Sequence, residues 1–174
     1  MRRPAAAWGT GVFLICAPGM VAGGMPLWIA SRGAGPQLQN GPVAAVLGWV
    51  CIAAGTVAIL ESFVRFVLEG RGTPAPIAPT EHLVVRGLYQ WLRNPMYVAV
   101  LLVILGESLV FADPLLLGYG VLVGIGVASF VRGFEEPTLT KRFPGQYAAY
   151  RATVPGWWPR RPRPGVTSEP LNSS

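Results

Sequence analysis

Four apolar runs, at residues 8–30, 42–68, 96–112 and 114–134, leave this chain few ways to fold. A helix that crosses the hydrocarbon core of a bilayer needs about 20 mostly apolar residues, and each run is near that length. Only 13% of the residues are charged and 52% are hydrophobic, with a mean hydropathy of +0.45. Soluble domains carry roughly 25% charged residues, so composition and pattern agree on an all-α polytopic membrane protein. The Arg2-Arg3 start mimics the basic end of a signal peptide, but the run behind it exceeds the roughly 7–15 apolar residues of such a leader. It reads as a first span, kinked at Pro18 and Pro26.

The second run opens at Pro42, a favoured first helical position, and carries Gly48, Ala54, Gly55 and Ala58 as small residues for close helix packing. The third follows Asn94-Pro95, and Asp113-Pro114 forms a tight turn into the fourth, predicting a helical hairpin. Gly118, Gly120, Gly124 and Gly126 invite close approach on the fourth span. Lysine and arginine set the orientation. With the N-terminus cytosolic, the inner segments hold thirteen of them and the outer loops hold Arg32 alone. Both termini and the loop after span two are therefore expected in the cytosol. The net charge of +6 comes from these flanks rather than from a basic face with interleaved aromatics, which argues against nucleic acid. Cys16 and Cys51 lie inside apolar runs, and the chain has one histidine, so neither a disulfide framework nor a metal site is expected.

The remaining segments sort by composition. Residues 70–95 are too polar and proline-rich to span, yet Leu83-Val84-Val85, Gly87 and Tyr89 give them apolar content that favours a functional loop. Residues 135–152 read as a cytosolic amphipathic helix, broken near Pro144-Gly145, with Phe143, Tyr147 and Tyr150 as interfacial anchors. Residues 154–159, Val-Pro-Gly-Trp-Trp-Pro, read as a segment pressed on the membrane surface. One domain is expected over 1–159, followed by a basic and polar tail at 160–174.

Chemistry-bearing residues gather at one membrane face. Arg93-Asn94-Pro95-Met96-Tyr97 stands where span three begins, and Glu135-Glu136 where span four ends. Each group taken singly has an ordinary role as a flanking charge, helix start or belt aromatic. Together they offer cationic, amide, phenolic and paired carboxylate groups. Glu107 lies eleven residues into span three, about 16 Å along the helix. An ionisable group inside the membrane is a functional candidate by default. Glu61 and Arg65, one turn apart, read as a structural ion pair.

Taken in order, Gly72-Thr73-Pro74-Ala75-Pro76, Leu83-Val84-Val85-x-Gly-x-Tyr89, Arg93-Asn94-Pro95-Met96-Tyr97, Glu135-Glu136, Phe143-x-x-x-Tyr147-x-x-Tyr150 and Val154-Pro155 resemble the isoprenylcysteine carboxyl methyltransferase and phospholipid N-methyltransferase group. The resemblance covers residues 70–159. It implies an integral-membrane methyltransferase that uses S-adenosyl-L-methionine. Glu135 and Glu136 would take the cofactor's ammonium and a ribose hydroxyl, and Arg93 would take its carboxylate. Val85, Leu88 and Tyr97 would wall the adenine beside the Gly87 backbone, with Tyr89, Asn94 and Pro95 completing the cofactor site. Arg151 and Tyr147 are candidates for positioning the acceptor, and Glu107 is a further catalytic candidate. Many members have histidine where this chain has Asn94, which cannot titrate. The implied acceptor is lipophilic or a lipid: an isoprenylcysteine-like carboxylate, a phospholipid amine or a small thiol. The rival reading is a non-catalytic membrane protein, an assembly factor or small transporter. A transporter, however, should show internal repeats around a midplane site, whereas the polar residues here cluster at one face.

Overall fold

The computed structural model describes residues 15–33, 41–65, 68 and 83–161. The expectations for 8–14, for the first part of the 70–95 loop and for the tail beyond 161 lie outside these residues. Within them, all regular structure is helical. A wide helical segment, Ile15–Gly24, leads into α1 (Met25–Arg32); α2 is Pro42–Arg65, α3 is Pro95–Phe111 and α4 is Pro114–Phe130. A π turn, Val131–Glu135, joins α4 to α5 (Glu136–Arg142), and α6 is Pro144–Thr153.

Two helical runs, Pro42–Arg65 and Pro114–Arg142, are long and apolar enough to cross a membrane, and α3 is a shorter apolar helix. Only 17% and 11% of their apolar windows are buried inside the protein. A core helix of a soluble protein would hide such a face. Here Val46, Trp49, Val50 and Val57 of α2 and Val121, Leu122 and Ile125 of α4 stay exposed, as a lipid-facing surface requires.

Helices in lipid gain little from apolar burial and associate through close packing of small residues. The α2–α3 pair shows this directly. A Cβ on Gly48 would lie 2.7 Å from Gly106 O, and one on Gly55 would lie 2.8 Å from Ala99 O. These glycines let the two backbones touch. The small residues of α2 in fact face two ways: Gly48 and Gly55 are buried, while Ala54 is exposed. On α4, Gly120 and Gly124 approach Ile104 and Leu101 of α3, whereas Gly118 and Gly126 meet open space.

The α3–α4 hairpin turns at Ala112 (φ 53°), and Asp113 caps α4 by accepting a hydrogen bond from the Leu115 amide at 2.8 Å. The first segment is kinked, as Pro18 and Pro26 predict, at Ala22 (φ −106°, ψ 16°), four residues before Pro26, whose ring excludes that carbonyl from the helical ladder. The Tyr119 hydroxyl donates to Val21 O at 2.8 Å and ties α4 to that kink. The C-terminal helical stretch breaks at Phe143 (φ −130°, ψ 62°), immediately before Pro144.

Candidate functional site

The site is assembled at the end of the bundle where α2 finishes, α3 starts and α4 gives way to α5. Arg86 is extended, and Gly87 follows at φ 63°, in the left-handed region that glycine alone enters cheaply. Space adds a second reason for glycine. A Cβ there would collide with Glu61 Oε1 and Arg65 Nε, so the backbone lies directly on that ion pair. A 3-10 turn, Gly87–Gln90, then carries the chain to Arg93. Pro95 opens α3, and Asn94 sits at its N-cap without capping it.

Asn94 is occupied elsewhere. Its Nδ2 donates to Gly156 O at 3.1 Å, and its backbone amide donates to the same carbonyl at 3.2 Å. Arg93 N donates to Pro155 O at 2.8 Å and Arg160 N to Trp91 O at 3.0 Å. Residues 155–160 therefore form a strap hydrogen-bonded along 91–94. This is more specific than the expected segment lying on the membrane surface. Trp158, 82% exposed, is the part of it turned outward.

Arg93 is the hub of the polar cluster. Its Nη1 donates to Glu136 Oε1 at 2.8 Å and to the Tyr147 hydroxyl at 3.0 Å. One turn along α3, the Tyr97 hydroxyl donates to Glu135 Oε2 at 2.9 Å. Arg151 approaches Glu136 Oε2 at 3.7 Å from a side chain that is 58% exposed. The Arg93 and Glu136 side chains are only 13% and 18% exposed, so their attraction is little screened. Among the described residues, Arg93 Nε is buried without a hydrogen-bond partner. A buried donor left unpaired costs about 1–3 kcal/mol, and it marks where an acceptor from outside the chain would be welcome.

The tyrosines around the hub are held protonated. Burial raises the Tyr147 and Tyr150 phenols above their ordinary range, with the Arg93 charge opposing the shift. Burial raises Tyr89 well above it too. Tyr150 donates to Tyr89 O at 2.6 Å, locking α6 to the 3-10 turn. Val85 packs against the buried Tyr147, Tyr150 and Val154, together with Leu83, Leu139 and Phe143.

Of the residues expected from sequence, Arg93, Glu136, Tyr147 and Arg151 therefore meet in one bonded set, with the Tyr97–Glu135 pair beside it. Asn94, Pro95 and Tyr89 are buried beside it as framework. Leu88 and Gly87 line a groove along α2, on the Glu61–Arg65 pair. Glu107 is not brought to the cluster. It lies ten residues beyond Tyr97 on α3, about 15 Å along the axis, buried with Oε2 lacking a hydrogen-bond partner among the described residues. Sequence reading missed the strap carbonyls of Pro155 and Gly156, because backbone acceptors carry no residue signature. It also missed the groove, whose only sequence trace is the helical spacing of Val50, Ala54, Val57 and Glu61.

Residues 43–146 match the sequence family described as phospholipid methyltransferase. No curated protein and no solved structure matches the chain.

Proposed function

Because the chain belongs to the phospholipid methyltransferase family, and is thus a membrane-associated enzyme that uses S-adenosylmethionine, we propose that its acceptor is the amine of a phospholipid. The observation that carries the site assignment is the Arg93 hub. Its guanidinium is oriented by Glu136 and Tyr147 through one nitrogen, while Nε remains buried and without a hydrogen-bond partner among the described residues. That is a donor set prepared for a carboxylate, and the adjacent Glu135 and Glu136 suit an ammonium. The residues thus fit an amino-acid-bearing cofactor at both ends of its charge.

When bound, the sulfonium cofactor would supply an activated methyl group that leaves by in-line displacement. The protein's part is alignment, exclusion of water and removal of a proton from the amine. Arg93 and Glu136 fix one another, so neither has to be ordered when ligand arrives. Tyr147 and Tyr150, kept protonated by burial, hold α6 against the cluster. Asn94 takes no proton, since an amide cannot titrate, and its Nδ2 already serves the strap. In this reading four spans cross the bilayer, as the apolar runs predict, and the cluster faces the cytosol, where the basic residues concentrate.

Purified full-length protein, given S-adenosylmethionine labelled in its methyl group, tests the acceptor. Vesicles of phosphatidylethanolamine, farnesylcysteine and a lipophilic thiol would be offered in parallel. Label in monomethylated phosphatidylethanolamine is expected. Label in either other acceptor alone would replace the amine reading.

A further inference from the structure

The groove beside Gly87 holds about 920 Å3 and is lined by Val50, Ala53, Ala54, Val57, Ala58, Glu61 and Arg65 of α2. Leu88, Gln90 and Trp91 close its polar end. From Val50 to Glu61 it runs eleven residues, about 16 Å, roughly half of a 30 Å hydrocarbon core. Its floor is apolar and faces the lipid, and its single charged pair sits at the end nearest the Arg93 cluster. A groove one leaflet deep, apolar below and charged at the top, has the layout of one phospholipid chain and its head group.

The charged end is also unsatisfied in a particular way. Arg65 Nε donates to Glu61 Oε1 at 2.9 Å, and Glu61 Oε2 is buried with no hydrogen-bond partner among the described residues. A second donor at Oε2 would complete the carboxylate, and an ammonium supplies one. The positive charge of Arg65 stands beside it for a phosphate. The pair presents one negative and one positive group to a head group that bears both signs, which a purely anionic lipid cannot match.

We propose that this groove is the seat of the acceptor lipid, a zwitterionic aminophospholipid. One acyl chain lies along Val50–Val57, the ammonium sits on Glu61 Oε2 and the phosphate faces Arg65. Calling it the acceptor rests on the methyltransferase reading above; the lipid site itself rests on the groove. The turn Gly87–Trp91 is the wall shared with the Arg93 cluster, since Tyr150 holds its Tyr89 carbonyl. An amine at Glu61 is therefore one short turn from the cofactor's proposed seat.

The test uses full-length protein in phosphatidylcholine nanodiscs, with a phosphatidylethanolamine that carries a photoreactive group in mid-chain. Cross-links are expected on the 50–61 stretch, competed by dioleoylphosphatidylethanolamine and weakly by dioleoylphosphatidylglycerol. Ala53 and Ala54 are exposed, so Ala53→Leu with Ala54→Leu fills the groove without entering the bundle. That variant should lose at least about fivefold in labelling, the effect of roughly 1 kcal/mol on an equilibrium. Glu61→Gln should abolish the preference for the amine lipid. Label spread evenly over the outer faces of α2 and α4, or undiminished in the leucine variant, would overturn the proposal. Binding of S-adenosylhomocysteine to the same samples separates the two readings. Groove labelling without that binding keeps the lipid site and sinks the methyltransferase site. Binding without groove labelling sinks this inference alone.

Discussion

Replacing Arg93 by lysine tests the hub with the least damage to the fold. Arg93→Ala would strand Glu136, 18% exposed, with only a 3.7 Å approach from Arg151. Removing one partner of a buried pair costs about 3–5 kcal/mol, which would confuse unfolding with lost binding. Lysine keeps the charge and can still reach Glu136, so a stability loss of about 1 kcal/mol is expected. What lysine lacks is the planar fork: it cannot serve Glu136 and Tyr147 from one nitrogen while offering Nε elsewhere. Each hydrogen bond to a charged group is worth about 1.5–3 kcal/mol. One such bond lost to the cofactor carboxylate predicts S-adenosylhomocysteine binding weaker by roughly tenfold to over a hundredfold. Titration calorimetry in detergent reads this, beside a melting curve for each variant. An Arg93→Lys protein that melts like the parent and binds within about threefold of it would show that Arg93 does not touch the cofactor.

Three further outcomes follow from single contacts. Tyr150→Phe leaves the Tyr89 carbonyl without its 2.6 Å donor and should cost about 1–3 kcal/mol in thermal unfolding. Its phenol is also raised by burial, so the folded protein holds this proton where the unfolded chain releases it near pH 10. That contribution is present below about pH 10 and lost as pH rises toward the folded value, so Tyr150→Phe should flatten the alkaline fall in stability. Gly106→Val places a side chain where even a Cβ would lie 2.6 Å from Gly48 O, and should separate α2 from α3. The expected sign is a loss of more than about 2 kcal/mol, seen as poor yield and a lowered melting temperature. Glu107→Gln, about 15 Å from Tyr97, should leave S-adenosylhomocysteine affinity unchanged, and a tenfold loss in calorimetry would place Glu107 in the site after all.

The helices were legible because bilayer thickness fixes span length and proline marks where helices begin. Pro42, Pro95, Pro114 and Pro144 each stand at an observed helix start. The Glu61–Arg65 pair was legible from the four-residue spacing alone. The meeting of Arg93 with Glu136, 43 residues apart, was not a matter of spacing; it was carried by resemblance to a known pattern. Nothing in the sequence separates Gly48 and Gly55, which face α3, from the equally small Ala54, which faces the groove. A one-residue rotation decides that, and tertiary packing sets the rotation. The strap was hidden for another reason. Its bonds to Arg93 and Asn94 come from the carbonyls of Pro155 and Gly156, and every residue has a carbonyl.

Two consecutive carboxylates serve two partners on one helix because α4 does not continue as a regular helix. Successive residues of an α-helix point about 100° apart, so Glu135 and Glu136 would ordinarily diverge. Across Val131–Glu135 the ladder widens, and Glu136 N bonds to Val131 O five residues back. Such one-residue insertions recur at functional sites. Here the widened turn comes immediately before Glu136 meets Arg93, while Glu135 meets Tyr97 one turn up α3. That widened turn absorbs one extra residue, whereas a deletion in the regular part of α4 is not absorbed; Gly126 there has nothing close to its Cβ position among the described residues, so deleting it opens no cavity. The deletion should rotate everything after it by about 100°. Glu136 then leaves Arg93, and α6 with Tyr147 and Tyr150 must either shift or lose its bond to Tyr89. The expected result is a protein with near-parental helicity by circular dichroism that no longer binds S-adenosylhomocysteine. Binding retained in that deletion would mean that the carboxylate register is irrelevant, and the cofactor's ammonium would have to be sought elsewhere in the bundle.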